Sequence, residues 1–496
     1  MNGPLTHRAA VTPGATAVID ADRGERLTVA DLDAAVERMA GRLAALGVRP
    51  GDRLAVLLPT GRAAVEAVHA AIRLGAVTVP LDPQLPEPDL ADRLDRAEAA
   101  AILCDATTER DAIAAAATAG VDESAVPVAS VDGSEAGATA LAGRTPEAVV
   151  PHDWALDSTL FVPFTSGTTG RPKGVRLTAG NVLASAVASA VRLGLDRAET
   201  WHVALPCHHV GGLTPLVRFP LYGMTVVTRE SFDAAAVAAD FETYDVTATS
   251  LVPTTLARLL DATDGSLGPS MRAVLLGGAP ATGDLLDRCR DRGVPIFPTY
   301  GMTETASQIA TATPAEARAH PGTVGRPLFW TDLSVRSENG DERPPGEVGE
   351  LVVSGPTVSP GYLDDDRSAF GPGGLHTGDV GYRDENGLVW VTGRTDDLIV
   401  TGGENVAPAT VADAIVAHPD VADAAVVGLP DDEWGERVAA LVVPHDEADL
   451  SAADIRSHCR DRLAGYELPR TIRFGDVVPR TDSGTVSRNA VRERLE

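Results

Sequence analysis

The chain has 496 residues, which is too long for one ordinary domain and predicts two or more units with sizeable cores. Lys and Arg total 42 against 70 Asp and Glu, and the formal charge of -28 argues against nucleic acids and anionic lipids as partners. The four cysteines lie far apart without a CxxC pair, so neither a zinc site nor a disulfide framework is indicated and we expect reduced core residues.

The first half of the chain has the pattern of an α/β protein. Apolar runs at 54–58, 77–81 and 101–103 alternate with an amphipathic stretch at 62–74, as in βαβ units with a parallel sheet. Residues 130–144 are rich in Gly, Ala, Ser and acids and predict a surface loop or an insertion. Further apolar runs between 159 and 297 predict a second α/β subdomain with covering helices.

The pattern changes after Thr331. Short apolar segments separated by Gly and Pro predict a small β-rich subdomain up to about Arg394. The remaining hundred or so residues have helical patterns near 408–417 and 452–463 around apolar strands, which predicts a smaller α+β domain.

The sharpest functional signal is a loop that directly follows an apolar strand ending at Phe164. It contains Thr165, Ser166, Gly167, Thr168, Thr169, Gly170, Arg171, Pro172, Lys173 and Gly174. Glycines let backbone N–H groups converge on phosphate oxygens, hydroxyls add donors, and lysine supplies a compact charge. Lys173 is also the only lysine of the chain, in a place where the bulkier guanidinium would not do the same task. We interpret the loop as a polyphosphate site; a flexible linker is the alternative.

This loop resembles the phosphate-binding signature of the adenylate-forming superfamily of acyl-CoA synthetases, luciferases and peptide-synthetase adenylation domains. Other motifs of that superfamily follow in order. They are Gly277-Gly278-Ala279-Pro280, Tyr300-Gly301-Met302-Thr303-Glu304-Thr305, Thr377-Gly378-Asp379 and Gly393-Arg394-Thr395-Asp396-Asp397. The resemblance runs from about Leu27 to the C-terminus.

The resemblance implies a role for each matching position. Tyr300 would stack on adenine, Thr303 would contact the α-phosphate and Glu304 would bind Mg²⁺. The other nucleotide contacts would come from the loop residues 165–170 and Lys173 and from Gly277, Gly278, Ala279, Pro280, Gly301, Asp379 and Arg394, with Asp379 and Arg394 at the ribose.

The same resemblance implies a large N-terminal domain at 1–393, a hinge at 394–397 and a mobile C-terminal domain at 398–496. Asp396 would be the hinge residue about which the small domain rotates after adenylation. Gly402 and Gly403 would then face the pantetheine of coenzyme A. Such use of one pocket in two steps needs a short backbone pivot.

Three segments resemble one subgroup, the o-succinylbenzoate:CoA ligases: 206–213, 221–227 and 300–309. By matching position, His209 would gate the acyl pocket, and Gln308 would lie near the aromatic and carboxylate groups of the substrate. Either side chain could instead be packed polar structure.

The C-terminal signature departs from the family. The family places a lysine that bridges the carboxylate and the α-phosphate where this chain has Thr485. Threonine cannot neutralise developing charge. Three explanations stay open: Arg480 or Arg488 supplies the charge, the first step is slow, or adenylation is lost while thioester formation survives.

The expected reaction is acid plus ATP giving acyl-AMP and pyrophosphate, then acyl transfer to coenzyme A. Catalysis would rest on Lys173, Thr303, Glu304, His209, Arg480 and Arg488, with Mg²⁺ on Glu304 shielding the phosphates. Another aryl or acyl acid as substrate, and a nucleotide-binding relative with impaired adenylation, are the alternatives.

The cellular setting is predicted from composition. Acidic residues spread along the chain, with one lysine, indicate adaptation to high salt, where the Debye length falls to a few Å. A generic acidic protein is the alternative. The chain starts without a basic stretch before an apolar core and has no apolar run of about 18 residues, so we expect a soluble, cytoplasmic protein without membrane insertion. Self-association into a homo-oligomer stays open.

Overall fold

The structure is a computed structural model. It describes residues 3–119, 126–134, 136–165, 172–364, 366–371, 373–402, 404–431, 433–445, 450–460, 462–480 and 486–496, without the side chains of Asp396 and Asn405. The chain forms two compact units. The first unit contains 1–321, 327–332 and 354–375, and the second unit contains 322–326, 333–353 and 376–496. The boundary expected at 393 falls inside the second unit and stays a prediction.

Helices and strands alternate through most of the chain. The helices are α1 (Pro4–Val11), α2 (Val29–Leu46), α3 (Arg62–Leu74), α4 (Glu87–Arg96), α5 (Glu109–Thr118), α6 (Ala179–Leu193), α7 (Val210–Tyr222), α8 (Ala234–Thr243), α9 (Pro253–Asp261), α10 (Gly283–Asp291), α11 (Pro314–Ala319), α12 (Pro408–Val416), α13 (Ala452–Arg460) and α14 (Arg488–Leu495). Short 3-10 helices span Leu141–Gly143, Thr303–Thr305 and Thr395–Asp397.

The strands are β1 (Thr16–Asp20), β2 (Glu25–Thr28), β3 (Arg53–Leu57), β4 (Val77–Pro80), β5 (Ala101–Cys104), β6 (Val128–Ser130), β7 (Thr139–Ala140), β8 (Thr159–Phe161), β9 (Phe164–Thr165), β10 (Lys173–Gly174), β11 (Leu177–Thr178), β12 (Thr200–Val203), β13 (Thr225–Thr228), β14 (Ala248–Leu251), β15 (Ala273–Leu276), β16 (Ile296–Met302), β17 (Ser307–Thr311), β18 (Arg326–Pro327), β19 (Asp332–Arg336), β20 (Gly349–Ser354), β21 (Phe370–Gly371), β22 (Gly374–Arg383), β23 (Val389–Arg394), β24 (Ile399–Thr401), β25 (Glu404–Val406), β26 (Val421–Asp431), β27 (Gly435–Pro444) and β28 (Thr471–Phe474).

Two large sheets organise the first unit. One contains the order β17-β16-β15-β14-β12-β13-β1-β2, parallel from β16 to β1 and antiparallel at both ends. The other has the order β11-β8-β4-β3-β5-β6-β7, and only β11 is antiparallel. Long apolar strands buried on both faces are typical of parallel sheets covered by helices. The predicted α/β class of two subdomains is therefore confirmed.

The segment predicted as a surface loop at 130–144 is more ordered than expected. In it, β7 pairs in parallel with β6 through Ala129 and Thr139, and Leu141 is buried. The loop prediction was wrong for residues 139–143, because a two-residue strand needs only backbone hydrogen bonds and leaves no periodic side-chain pattern.

Helix α6 illustrates how local sequence sets the elements that support the site. Thr178 caps its N-terminus in a capping box: its Oγ1 accepts the Asn181 N–H, and its own N–H donates to Asn181 Oδ1. Gly194 ends the helix with φ of 63°, a left-handed conformation that glycine adopts without steric cost.

The second unit contains the β-rich and α+β parts. In the first part, β19, β20 and β22 are neighbours, and β23 pairs with β22. In the second part the order is β25-β24-β27-β26, with β28 parallel to β27. One face of this sheet packs Ile415 and Ile455 of α12 and α13, and the other packs Val491 of α14. The predicted small α+β domain at the C-terminal end is confirmed.

The four cysteines are each buried and form no disulfide. Within the described ranges, every helix is too short or too polar to cross a lipid bilayer.

Candidate active site

The solitary lysine lies on a short hairpin. Strand β10 pairs antiparallel with β9, and Lys173 stands opposite Thr165. Glycine at the next position leaves room for Leu363, because a Cβ at Gly174 would lie 2.8 Å from Leu363 Cδ1 and that side chain would have to shift. Residues 166–171, which include Ser166, Gly167, Thr168, Thr169 and Gly170, lie outside the described residues. The hairpin therefore places the lysine at the end of the predicted phosphate loop.

Two groups from the segment after Gly361 contact the lysine. Its Nζ donates a hydrogen bond to Asp366 Oδ2 at 2.7 Å and lies 4.9 Å from the centre of the Tyr362 ring. The hydrogen bond from Lys173 holds the pKa of Asp366 well below its usual range. Sequence reasoning identified neither Tyr362 nor Asp366, since both follow the loop by about 190 positions and carry no motif of their own.

The same tyrosine reaches the predicted metal ligand. Its hydroxyl donates to Glu304 Oε1 at 2.9 Å, and the main-chain oxygen of Glu304 accepts the N–H of Ser359 at 2.7 Å. Glu304 is 8% exposed and Tyr362 is 4% exposed. Burial, followed by the negative charge of Glu304, raises the pKa of the Tyr362 hydroxyl, which keeps it a donor. The structure thus brings Lys173, Tyr362 and Glu304 together.

The donor set around Glu304 suits magnesium. In the described part of the chain, no group of three or more His, Cys, Asp or Glu side chains could hold a metal ion by itself. Mg²⁺ is usually held by one or two carboxylates together with substrate phosphates and water. One hard carboxylate, oriented by a tyrosine hydroxyl, therefore fits this ion.

The glycines of the adenine motifs are required by close packing of the backbone. A Cβ at Gly277 would lie 2.6 Å from Thr299 Cγ2, and one at Gly301 would lie 1.8 Å from the Ser307 oxygen. Gly278 has a φ of 81°. Ala279 and Pro280 follow in the loop between β15 and α10, and Tyr300 is half-buried on β16 opposite Ala310. Close packing of neighbouring atoms and a positive φ are enough to account for glycine at these positions, whether or not a ligand binds there.

The backbone after the metal motif is strained. A 3-10 helix begins at Thr303, contains Glu304 and ends at Thr305. The two residues after this helix, Ala306 and Ser307, have positive φ of 53° and 119°. Non-glycine residues rarely adopt such values, and they cluster at functional sites.

A buried arginine supports this turn. Arg218 of α7 donates to Ser185 Oγ at 2.6 Å and to the Ala306 oxygen at 3.1 Å, and Ser185 donates to the same oxygen at 2.9 Å. Burial lowers the pKa of Arg218. Sequence reasoning missed Arg218, although an arginine inside an otherwise apolar helix was the available signal.

The two predicted acyl-pocket residues differ in environment. His209 caps the N-terminus of α7 and stays exposed, with its ring 4.3 Å from that of His208. Gln308 is 2% exposed and donates from Nε2 to Thr311 Oγ1 at 2.8 Å, while its Oε1 has no hydrogen-bond partner among the described residues. His209 is thus open to solvent, whereas Gln308 lies within the packed sheet.

His208 is the more enclosed of the two histidines. Its side chain is 12% exposed, and Nε2 lies 3.6 Å from Asp82 Oδ2. Burial, and then the adjacent His209, lower the pKa of His208 to about 4, so it is neutral near pH 7.

The predicted ribose residues are neighbours in the second unit. Asp379 on β22 pairs with Arg394 on β23, and Arg394 Nη1 lies 3.0 Å from Asp379 Oδ1. The Nε atom of Arg394 is buried without a hydrogen-bond partner among the described residues. The pairing brings a carboxylate and a guanidinium to one sheet position.

Both candidate replacement arginines are already in ion pairs. Arg488 contacts Asp397, which follows the predicted hinge residue Asp396. Arg480 donates to both carboxylate oxygens of Asp423, at 3.1 and 2.8 Å. Residues 481–485, including Thr485, lie outside the described residues. Either arginine must leave its carboxylate before it can serve elsewhere.

Gly402 ends β24 and packs against an indole. It has φ of 61°, its N–H donates to the Trp434 oxygen at 2.9 Å, and a Cβ would lie 2.6 Å from the Trp434 ring. Arg470 covers that ring at 4.1 Å. Gly403 lies outside the described residues.

Comparison with known proteins places this geometry in a family. Residues 5–363 match the model of the AMP-binding enzymes, and residues 410–485 match that of the AMP-binding enzyme C-terminal domain. The chain is 37% identical over 496 residues to a 2-succinylbenzoate–CoA ligase of Bacillus thuringiensis, covering 99% of this chain and 98% of the relative. A ligase of the same name from Bacillus licheniformis is 38% identical over 491 residues, covering 98% of each chain.

Solved structures show the same similarity as the sequence comparison. The o-succinylbenzoate CoA synthetase of Bacillus subtilis in complex with its acyl-adenylate has a TM-score of 0.88 and 36% identity, covering 99% of this chain and 98% of that chain. The same enzyme with ATP and a magnesium ion has a TM-score of 0.87, 36% identity and 99% coverage of both chains. The chain belongs to the AMP-binding enzyme family.

Proposed function

We propose that this chain is an ATP-dependent o-succinylbenzoate–CoA ligase, which forms an acyl-adenylate and then the CoA thioester. The observation that carries the proposal is the contact series from Lys173 through Tyr362 to Glu304. It sets one cation near one hard carboxylate in the first unit, in a chain similar over its whole length to ligases of that name. A polyphosphate and its metal ion need such a pair.

The first unit would carry most of the nucleotide contacts. Lys173 would meet the outer phosphates, and Thr303 would contact the α-phosphate. Tyr300 would stack on the adenine, with the Gly277 and Gly278 backbone beside it. No covalent intermediate with the protein is needed, since the rate would come from aligning the acid with the α-phosphorus and from charge stabilisation.

Mg²⁺ would be held by Glu304, and when bound it would neutralise charge on the phosphate oxygens. The Tyr362 hydroxyl would keep the Glu304 carboxylate in one orientation. We further propose that His209 borders the acid, and that Gln308 acts mainly through packing.

In the second unit, Asp379 would accept the ribose hydroxyls and Arg394 would orient that carboxylate. Asp396 would be the pivot between the two half-reactions. Gly402 and Gly403 would face the pantetheine of coenzyme A. The charge that Thr485 lacks would come from Arg480 or Arg488, released from its carboxylate partner.

We also propose a setting for this activity. The product would enter menaquinone biosynthesis, and the enzyme would work in a salt-rich cytoplasm, where screening reduces repulsion between the carboxylates that give the chain its charge of -28.

The test is turnover of o-succinylbenzoate with ATP, Mg²⁺ and coenzyme A in molar potassium chloride, followed by AMP release. Benzoate and medium-chain fatty acids serve as matched acids. If the enzyme preferred either of these acids over o-succinylbenzoate, that acid would be assigned as the substrate instead. ATP binding without AMP formation with any acid would favour a nucleotide-binding relative, the alternative that Thr485 supports.

A further inference from the structure

The ion pair between Asp366 and Lys173 has no part in the reaction described above. Asp366 is presented by a short turn, in which its Oδ1 accepts the N–H of Ser368 at 2.9 Å. The turn is tied to the lysine hairpin, because Leu363 N–H donates to the Gly174 oxygen at 2.9 Å. The carboxylate is thus held toward the ammonium by contacts within the protein.

This carboxylate offers the lysine the kind of acceptor that a phosphate offers. Both present anionic oxygens at hydrogen-bond distance, and Lys173 supplies a compact charge to either. A polyphosphate that reached the lysine while Asp366 stayed at 2.7 Å would bring like charges together on a side chain that is only 21% exposed. Binding of the polyphosphate and retention of this ion pair therefore oppose each other.

We propose that Asp366 is a placeholder for the polyphosphate: it occupies Lys173 in the nucleotide-free protein, and ATP must displace it. Asp366 thereby weakens ATP binding and is a positioning residue, since it acts through Lys173. The inference rests on the proposed function in one respect, namely that ATP is the ligand of Lys173.

A neighbouring aspartate provides a matched control. Asp364 lies two positions earlier and pairs with Arg96 at 3.3 Å instead of with the lysine. Removal of its charge alters the local electrostatics similarly but leaves the Lys173 contact intact.

The experiment measures ATP dissociation constants by calorimetry, without acid or coenzyme A, at low and at molar potassium chloride. Asp366→Asn should lower the constant about 3-fold to 5-fold at low salt, and less at high salt because the ion pair is screened. Asp364→Asn should change it less than about 2-fold. In a Lys173→Ala background, Asp366→Asn should have no effect, as a double-mutant cycle requires.

An unchanged or raised constant for Asp366→Asn, or equal effects of both aspartate variants, would overturn the inference. Melting curves check folding, and Asp366→Ser replaces the asparagine variant if that protein is unstable. If the wild-type protein does not bind ATP, the proposed function fails. If it binds ATP and Asp366→Asn does not tighten binding, only the placeholder role fails.

Discussion

The candidate functional residues of the first unit and those of the second unit are held in different ways. In the first unit, Glu304 is buried: its carboxylate accepts a hydrogen bond from the Tyr362 hydroxyl, and its main-chain oxygen accepts one from the Ser359 N–H. In the second unit, Arg394, Arg480 and Arg488 are fixed by ion pairs, with side chains 31%, 33% and 34% exposed. A buried hydrogen bond is screened little by salt, whereas partly exposed ion pairs are screened more and can change partners. The contacts of Glu304, the first part of this comparison, are therefore expected to stay in place, and the ion pairs of the three arginines, the second part, to exchange.

The largest effect is expected from Lys173, which contacts Tyr362 and is proposed to bind the phosphates. Lys173→Ala should lower AMP formation by about 10²-fold to 10³-fold, because no other lysine can neutralise the phosphates. Lys173→Arg should recover only part of the rate, since the guanidinium is larger and planar. Unchanged product formation by Lys173→Ala, with a normal melting curve, would remove the ligase assignment.

A smaller effect on the first half-reaction is expected from Arg480 and Arg488 of the second unit. Arg480→Ala and Arg488→Ala are compared by ATP/pyrophosphate exchange, and at least one should fall about 10-fold to 100-fold if an arginine replaces the missing lysine at Thr485. Arg473→Ala is the control, because this arginine binds main-chain oxygens of the last residues. Exchange at wild-type rates in both test variants would rule out compensation by arginine.

Tyr362→Phe tests whether the buried hydrogen bond to Glu304 holds the first part in place. Loss of the donor to buried Glu304 should cost about 1–3 kcal/mol of unfolding free energy and about 10-fold in kcat. Because the pKa of Tyr362 is raised, its contribution is fully present below about pH 10 and is lost only above it.

Urea denaturation should therefore give the same loss at pH 6 and pH 9, and at low and high salt. Tyr466→Phe is the control, since Tyr466 is 41% exposed. A loss that vanished in molar salt would contradict the distinction between the two parts.

The smallest expected effect concerns a desolvated histidine of the first unit. The pKa of His208 is lowered to about 4, so the stability linked to its neutral form is present above pH 6.5 and is lost as pH falls toward 4. In His208→Asn, the free energy of unfolding should fall by about 1–3 kcal/mol less than in the wild type as the pH is lowered. The exposed His7→Asn is the control in denaturation at pH 4.5 and pH 7. Parallel profiles for wild type and His208→Asn would show that this histidine does not titrate as described.

Much of the fold and part of the site could be predicted from local sequence. The apolar runs at β3, β4 and β5 predicted a parallel sheet, whereas the phosphate site at the loop before Lys173 stays a prediction. The loop prediction at 130–144 failed at residues 139–143, because short backbone pairing leaves no side-chain pattern.

Tyr362, Asp366 and Arg218 could not be predicted as members of the site. Tyr362 contacts a residue 58 positions away, Arg218 one 88 positions away and Asp366 one 193 positions away. Nothing in the sequence next to these three residues marks such a contact. Such contacts depend on which strands and helices become neighbours, and that is decided by packing of the whole unit.

The sequence by itself determined the α/β class, the order of the family motifs and the single lysine, since periodicity, glycine spacing and side-chain chemistry are local properties. Tertiary structure alone decided that a tyrosine joins Lys173 to Glu304, that Asp366 occupies the lysine, and that Arg480 and Arg488 are engaged by carboxylates. The physical reason is that hydrogen bonds and ion pairs act over a few Å, and only the folded chain brings distant residues within that range.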